Sequence, residues 1–116
     1  MINRKRTISF LCPAVITFGI WAASPVFFGI VEPWDTPTPF YSAASLLGGA
    51  LLALAYPVLL LHCFLGAWAG QIVALLVLPG VDRGWFLLGV ISTGIGSLVF
   101  FAGALLGGWL RRKAAA

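Results

Sequence analysis

The residues most capable of chemistry stand in one short segment of this 116-residue chain. Glu32 and Asp35 flank Trp34 in a stretch that also holds three prolines. Two carboxylates three residues apart, beside an aromatic ring, could bind a cation or a basic group of a partner. The same residues fit a loop that Trp34 anchors, because tryptophan is enriched where a membrane meets water. Both interpretations of this proline-rich loop are open, and Glu32, Trp34 and Asp35 are its candidate contact residues.

A second set of polar residues lies within otherwise apolar sequence: Gln71, Ser92, Thr93 and Ser97. An amide in a membrane helix can hydrogen-bond to a hydroxyl group on a neighbouring helix, which stabilises the pair by about 1 kcal/mol. The alternative is that the four side chains line a polar path between subunits, since amides and hydroxyls do line conduits.

The remaining reactive residues do not form a recognisable catalytic or metal-binding set. His62 is the only histidine, and the two cysteines, Cys12 and Cys63, lie far apart in the sequence. A zinc site needs about four ligands at suitable spacing, and no nucleophile–base pair or glycine-rich phosphate loop is present. Asp, Glu, Lys and Arg are also missing from the middle of every apolar run, which counts against an ion pump or a proton-coupled transporter. The sequence therefore predicts no enzyme activity, no cofactor and no bound metal.

The composition indicates the surroundings in which the chain folds. Hydrophobic residues make up 61% of the chain and charged residues 9%, and the mean hydropathy is +1.07. Soluble domains are about 45–50% apolar and about 25% charged, so a soluble globular domain is excluded, and a disordered chain is excluded by the same numbers. We predict one all-α transmembrane domain over residues 1–116, with the lipid bilayer as its surroundings.

Breaker residues divide the apolar sequence into four predicted transmembrane helices joined by short loops. The proline-rich loop ends the first run, and a stretch around Pro79 and Gly80 precedes the last. The apolar run between them would be about 60 Å long as one helix, twice the hydrocarbon thickness. It must therefore fold back, and Tyr56-Pro57 marks the break because proline disfavours helix at the residue before it. The predicted helices cover residues 8–31, 40–57, 59–78 and 85–110.

Charge then predicts the orientation of this polytopic four-helix bundle. Six of the seven basic residues cluster at the two termini, as Arg4 to Arg6 and Arg111 to Lys113. Four crossings put both termini on one side, and the positive-inside rule makes that side the cytoplasm. We expect a bacterial cytoplasmic membrane, with Trp34 and Trp85 at the outer interface. A nucleic-acid partner is not predicted, because such proteins spread basic residues along one exposed face.

Small residues recur at helical spacing in the predicted helices. The third helix carries Gly66 and Gly70, while the fourth carries Gly89, Gly96 and Gly103 at intervals of seven, followed by Gly107. Membrane helices associate through such stripes because small residues let two backbones approach closely. The stripes either pack the four helices within one chain or, most directly through the fourth helix, join the chain to further copies or to a larger membrane complex.

These features lead to three hypotheses for function. The favoured one is an accessory, assembly or stabilising subunit that acts through helix–helix packing and has no catalytic machinery. The alternative is a homo-oligomeric channel or facilitator for a small solute or ion, lined by the polar path defined above. A third hypothesis, an enzyme acting on lipids, would need Glu32, Asp35 or His62 as its acid or base.

Overall fold

The structure is a computed structural model that describes residues 4–35, 39–81, 84 and 86–115, with only the backbone described at Asp35. This part of the chain is all-helical, as predicted, and contains four α-helices. They are α1 (Arg4–Phe28), α2 (Phe40–Ala55), α3 (Leu60–Val77) and α4 (Phe86–Ala115). A single 3₁₀ turn (Pro33–Asp35) lies in the proline-rich loop between α1 and α2.

Three of the four helices are long and apolar enough to cross a membrane, judged by length and composition. They are α1, α3 and α4, with 25, 18 and 30 residues. The second helix, α2, is apolar but has only 16 residues. At 1.5 Å per residue it is about 24 Å long, somewhat shorter than the hydrocarbon core of about 30 Å.

Several predicted helix boundaries are wrong by a few residues, and local geometry explains the differences. Helix α1 runs over 4–28 rather than 8–31 because Gly29 adopts a left-handed φ of 67° and closes the helix. Its N–H donates to the carbonyl oxygen of Pro25 at 3.0 Å, as expected of a glycine that ends a helix. Helix α4 extends to Ala115 rather than 110, since Arg and Lys favour helix and suit the negative end of its dipole.

The break between α2 and α3 lies where Pro57 predicts it but is wider than expected. Helix α2 ends at Ala55 rather than 57 and α3 begins at Leu60 rather than 59. Tyr56 is extended, with φ −147° and ψ 138°, which is the conformation that a following proline favours. The predicted start of the fourth helix, Trp85, lies outside the described residues.

Helices α1 and α3 pack side by side at backbone contact. A Cβ on Gly66 would lie 2.8 Å from the carbonyl carbon of Phe10, and one on Gly70 would lie 2.7 Å from the Cα of Ala14. Both contacts advance by one turn in the same direction, so α1 and α3 run parallel. Any larger residue at either glycine would push the two helices apart.

Helices α2 and α4 form a second parallel pair built on the same principle. A Cβ on Gly103 would lie 2.9 Å from the carbonyl carbon of Leu46, and one on Gly107 would lie 2.8 Å from that of Ala50. Gly49 of α2 belongs to the same contact, because it lies against the backbone of Phe100. Helices α3 and α4 also contact each other, so the two pairs form one bundle.

The interior contains two apolar clusters along the bundle. One, here called the alanine cluster, consists of Ala53, Cys63, Ala67, Phe100 and Ala104. The other, here called the tryptophan cluster, consists of Trp21, Ala74, Leu75 and Val81. Large apolar side chains such as Val15 and Leu87 are turned outward, which suits a chain surrounded by lipid.

Both basic clusters lie at one end of the bundle. Lys5 of α1 and Arg111 and Arg112 of α4 line the same cleft. The proline-rich loop joins the opposite helix ends, so the bundle has one strongly basic end and one end that carries this loop.

Candidate functional site

Gln71 lies at the centre of the bundle and is 1% exposed. Its Oε1 accepts hydrogen bonds from the indole Nε1 of Trp21, at 3.1 Å, and from the hydroxyl of Tyr41. Its Nε2 donates to the carbonyl oxygen of Thr93 at 3.2 Å and to the Oγ of Ser97 at 2.9 Å. One amide of α3 therefore joins side chains or backbone of α1, α2 and α4.

The chemistry of the partners determines how this amide is oriented. An indole N–H can only donate and a backbone carbonyl can only accept, so the oxygen of Gln71 must face Trp21 and its nitrogen must face Thr93. In this orientation both lone pairs and both N–H groups of the amide are used. The site is a closed hydrogen-bond network in which Gln71 is fully satisfied.

Three of the four residues of the predicted polar path belong to this network. Thr93 and Ser97 are buried on α4, and Ser97 Oγ also donates to the carbonyl oxygen of Thr93 at 2.8 Å. The interhelical hydrogen bond predicted between Gln71 and a Ser or Thr residue is present as the bond to Ser97. Ser92 stands apart, because it is only half-buried and faces a surface cleft instead.

Sequence reasoning did not single out Tyr41, although it contributes the α2 arm of the network. Tyrosine and tryptophan carry one polar group on a large apolar ring, and that group finds a partner when the ring is buried. The spacing that brings Tyr41 to Gln71 depends on how α2 packs against α3 and α4, so no local pattern indicated it. Its ring also lies against Gly96, where a Cβ would come within 2.6 Å of Tyr41 Cζ.

The proline-rich loop packs onto the bundle above this network. The ring of Trp34 stands edge-on to Trp21, with ring centroids 4.7 Å apart, and edge-on to Tyr41, at 5.9 Å. Its Nε1 donates to Oε2 of Glu32 at 3.4 Å, and Pro33 is fully buried. The side chain of Asp35, the second carboxylate of the predicted contact, lies outside what the structure describes.

All six glycines predicted to pack helices face partners within the same chain. Gly66 and Gly70 lie against α1, and Gly103 and Gly107 lie against α2, as described above. Gly96 meets Tyr41, and Gly89 faces Leu75, where a Cβ would lie 3.3 Å from a methyl carbon.

A surface cleft of about 370 Å³ opens beside the network between α2 and α4. Its lining includes the hydroxyl-bearing residues Tyr41, Ser42 and Ser92 together with Ile95 and Val99. Elsewhere, His62 is half-buried on α3, and Cys12 and Cys63 are free thiols. Among the described residues, no three His, Cys, Asp or Glu side chains come together as metal ligands would.

Fold and site together define an all-helical protein with three helices able to cross a membrane and a satisfied amide network at its centre. No protein family, no curated protein and no solved structure matches this chain.

Proposed function

We propose that this protein is an accessory, assembly or stabilising subunit of the bacterial cytoplasmic membrane, and that it acts through helix–helix contacts without catalytic machinery. The observation that carries the proposal is the closed network at Gln71. A conduit or a catalytic site needs polar groups that remain available to a solute or substrate, whereas here the amide and its partners bond to one another.

The proposal includes four membrane crossings. Helices α1 and α3 run parallel and in contact, so the chain must return across the bundle between them, and α2 is the element that returns. Its 16 residues can cross together with the flanking residues of the loops, because a short apolar stretch is accommodated by local thinning of the bilayer. The amide network joins all four helices, which favours a bundle inserted as one unit.

The positive-inside rule supports cytoplasmic termini for such a bundle, because Lys5, Arg111 and Arg112 lie at one end. Cysteine labelling tests this orientation in a background with Cys12→Ala and Cys63→Ala. An impermeant maleimide added to intact cells should label Pro39→Cys, which lies at the start of α2, and should label Ala115→Cys only after the membrane is opened. The reverse pattern, or labelling of both from outside, would exclude the proposed topology.

Contacts with a partner must use surfaces other than the glycine stripes, since all six predicted glycines face residues of the same chain. The exposed surface is instead rich in Leu, Val and Ile, and in a membrane such a surface can meet either lipid or another helix.

Native mass spectrometry of the protein gently extracted from its own membrane tests the subunit role. We expect a second polypeptide at fixed stoichiometry, and loss of that complex when the protein is deleted. A protein that is recovered alone and leaves every membrane complex intact on deletion would contradict this role.

The alternative, a homo-oligomeric channel or facilitator for a small solute or ion, is favoured by one observation. Ser92 does not belong to the Gln71 network and lines the cleft between α2 and α4 with Ser42. Purified protein in liposomes tests it: solute flux above that of empty vesicles, abolished by Ser92→Leu, would support a facilitator. Flux equal to that of empty vesicles would reject it.

A further inference from the structure

A cleft of about 220 Å³ at the basic end of the bundle combines charged and apolar walls. Lys5 of α1 and Arg111 and Arg112 of α4 supply the charge. Ala53 and Ala104 form part of the apolar wall, and both belong to the alanine cluster of the core. The cleft therefore lies at the basic end of the packed interior, and its lining residues come from all four helices.

Two of these cations, Arg111 and Arg112, are adjacent in the sequence and line the same cleft. Among the described residues, the one acidic side chain is that of Glu32, which lies in the proline-rich loop at the opposite end of the bundle. Like charges held close together raise the energy of the folded chain unless an anion compensates them. The cleft thus favours a negatively charged ligand.

Arg111 supplies a specific hydrogen-bond donor for such an anion. Its Nε is buried and, among the described residues, has no hydrogen-bond partner. Buried N–H groups in proteins almost always have an acceptor, and a guanidinium group matches the oxygens of a phosphate better than an ammonium group does. A phosphate oxygen in the cleft would satisfy Arg111.

The surroundings of the cleft indicate that the phosphate belongs to a lipid. Leu60 lines the cleft and also lines an apolar groove of about 340 Å³ between α3 and α4, together with Leu61, Phe64 and Phe101. The basic cleft and the apolar groove therefore both border on Leu60, and the apolar lining of the groove suits an acyl chain. Trp109 lies two residues before Arg111, and tryptophan is enriched at the membrane interface, where lipid phosphates lie.

We propose that this cleft binds the phosphate of an anionic phospholipid, with Arg111 and Arg112 as its principal ligands and one acyl chain along the groove that begins at Leu60. The proposal rests on the membrane placement proposed above. Basic pockets between helices on the cytoplasmic side of membrane proteins have the same chemistry.

Native mass spectrometry of the full chain, purified in detergent and titrated with defined lipids, tests this site. Phosphatidylglycerol should be retained, while zwitterionic phosphatidylcholine should be retained at least about fivefold less. Arg111→Gln and Arg112→Gln should each weaken retention of phosphatidylglycerol by about fivefold. Lys113→Gln is the matched control, because it removes the same charge from the same helix end but lies outside the cleft, and it should change retention less than twofold.

Three results would overturn the proposal: equal retention of the two lipids, unchanged retention in both arginine variants, or an equal loss in Lys113→Gln, which would show diffuse attraction to a basic surface. Inorganic phosphate is tested as a further ligand. If it protects the protein from thermal unfolding as well as phosphatidylglycerol does at the same concentration, the site recognises free phosphate and the lipid assignment is wrong.

The Arg112→Gln variant also guards against misfolding of Arg111→Gln, since Arg112 is exposed and its replacement leaves the interior unchanged. Sedimentation of wild-type protein with the membrane fraction separates the two proposals. Wild-type protein found outside the membrane would contradict the proposed function itself, whereas membrane-bound protein without lipid preference would contradict only the lipid site.

Discussion

The region around Gln71 and the alanine cluster hold the same four helices together by different means. Around Gln71, an amide makes four hydrogen bonds to α1, α2 and α4. In the alanine cluster, contact relies mainly on small side chains such as Ala53, Ala67 and Ala104 packed around the single large ring of Phe100. One hydrogen bond joins two helices there, from Thr17 Oγ1 to the carbonyl oxygen of Ala67 at 3.0 Å.

The difference follows from the interactions that can hold helices together inside a membrane. Lipid is as apolar as a leucine side chain, so burying an apolar side chain between helices gains little, and close packing and hydrogen bonds remain. Small residues set how closely two helices approach, but they tolerate sliding along a smooth surface. The amide network requires particular donors and acceptors to meet, so it defines the register of the helices.

Among the variants that test this comparison, Gln71→Leu should cause the largest loss in the free energy of unfolding. The change keeps the volume but leaves the indole N–H of Trp21 and the hydroxyl of Tyr41 buried without their acceptor. We expect a loss of about 2–3 kcal/mol in the free energy of unfolding, measured by titration with sodium dodecyl sulfate in mixed micelles and followed by tryptophan fluorescence. A loss below about 0.5 kcal/mol would mean that the network does not define the fold.

Replacing Gly103 by Ala tests the packing of small residues. The new Cβ would lie 2.9 Å from the carbonyl carbon of Leu46, so α2 and α4 must separate, and we expect a loss of about 1–3 kcal/mol by the same measurement. The matched control is Gly19→Ala in α1, where a Cβ would have no neighbouring atom within 4 Å. That variant should be neutral or slightly more stable, and equal losses in the two would contradict the packing argument.

The two regions also differ in how far the sequence could predict them. Glycine spacing indicated the packing stripes, because the period of a helix turns spacing directly into a face. The partners of those glycines, such as Phe10 for Gly66, depend on how two distant helices meet. The same holds for Tyr41 and Trp21, which reach Gln71 from separations of 30 and 50 residues. Four helices and their breaks were predictable, whereas the network was predictable only as a bond from Gln71 to a hydroxyl group.

The Tyr41→Phe variant probes a single arm of the network. It removes one hydrogen bond to Oε1 of Gln71 while Trp21 still donates to the same oxygen, so we expect a loss of about 0.5–1.5 kcal/mol. A double-mutant cycle sharpens the result, because in the Gln71→Leu background the hydroxyl has lost that acceptor and its removal should be neutral or stabilising. Equal losses in both backgrounds would show that Tyr41 acts through ring packing alone.

Two serines give the smallest and most discriminating comparison. Ser97 and Ser45 are both buried, on α4 and α2, but Ser97 Oγ accepts from Gln71 at 2.9 Å, whereas Ser45 Oγ has no partner among the described residues. Ser97→Ala should therefore lower the free energy of unfolding by about 0.5–1 kcal/mol. Ser45→Ala should leave it unchanged or raise it slightly, because a buried hydroxyl without a partner is itself unfavourable. The two variants remove the same atom from neighbouring helices, so a loss at Ser45 equal to that at Ser97 would show that hydroxyl groups stabilise this bundle wherever they lie, and not through the Gln71 network.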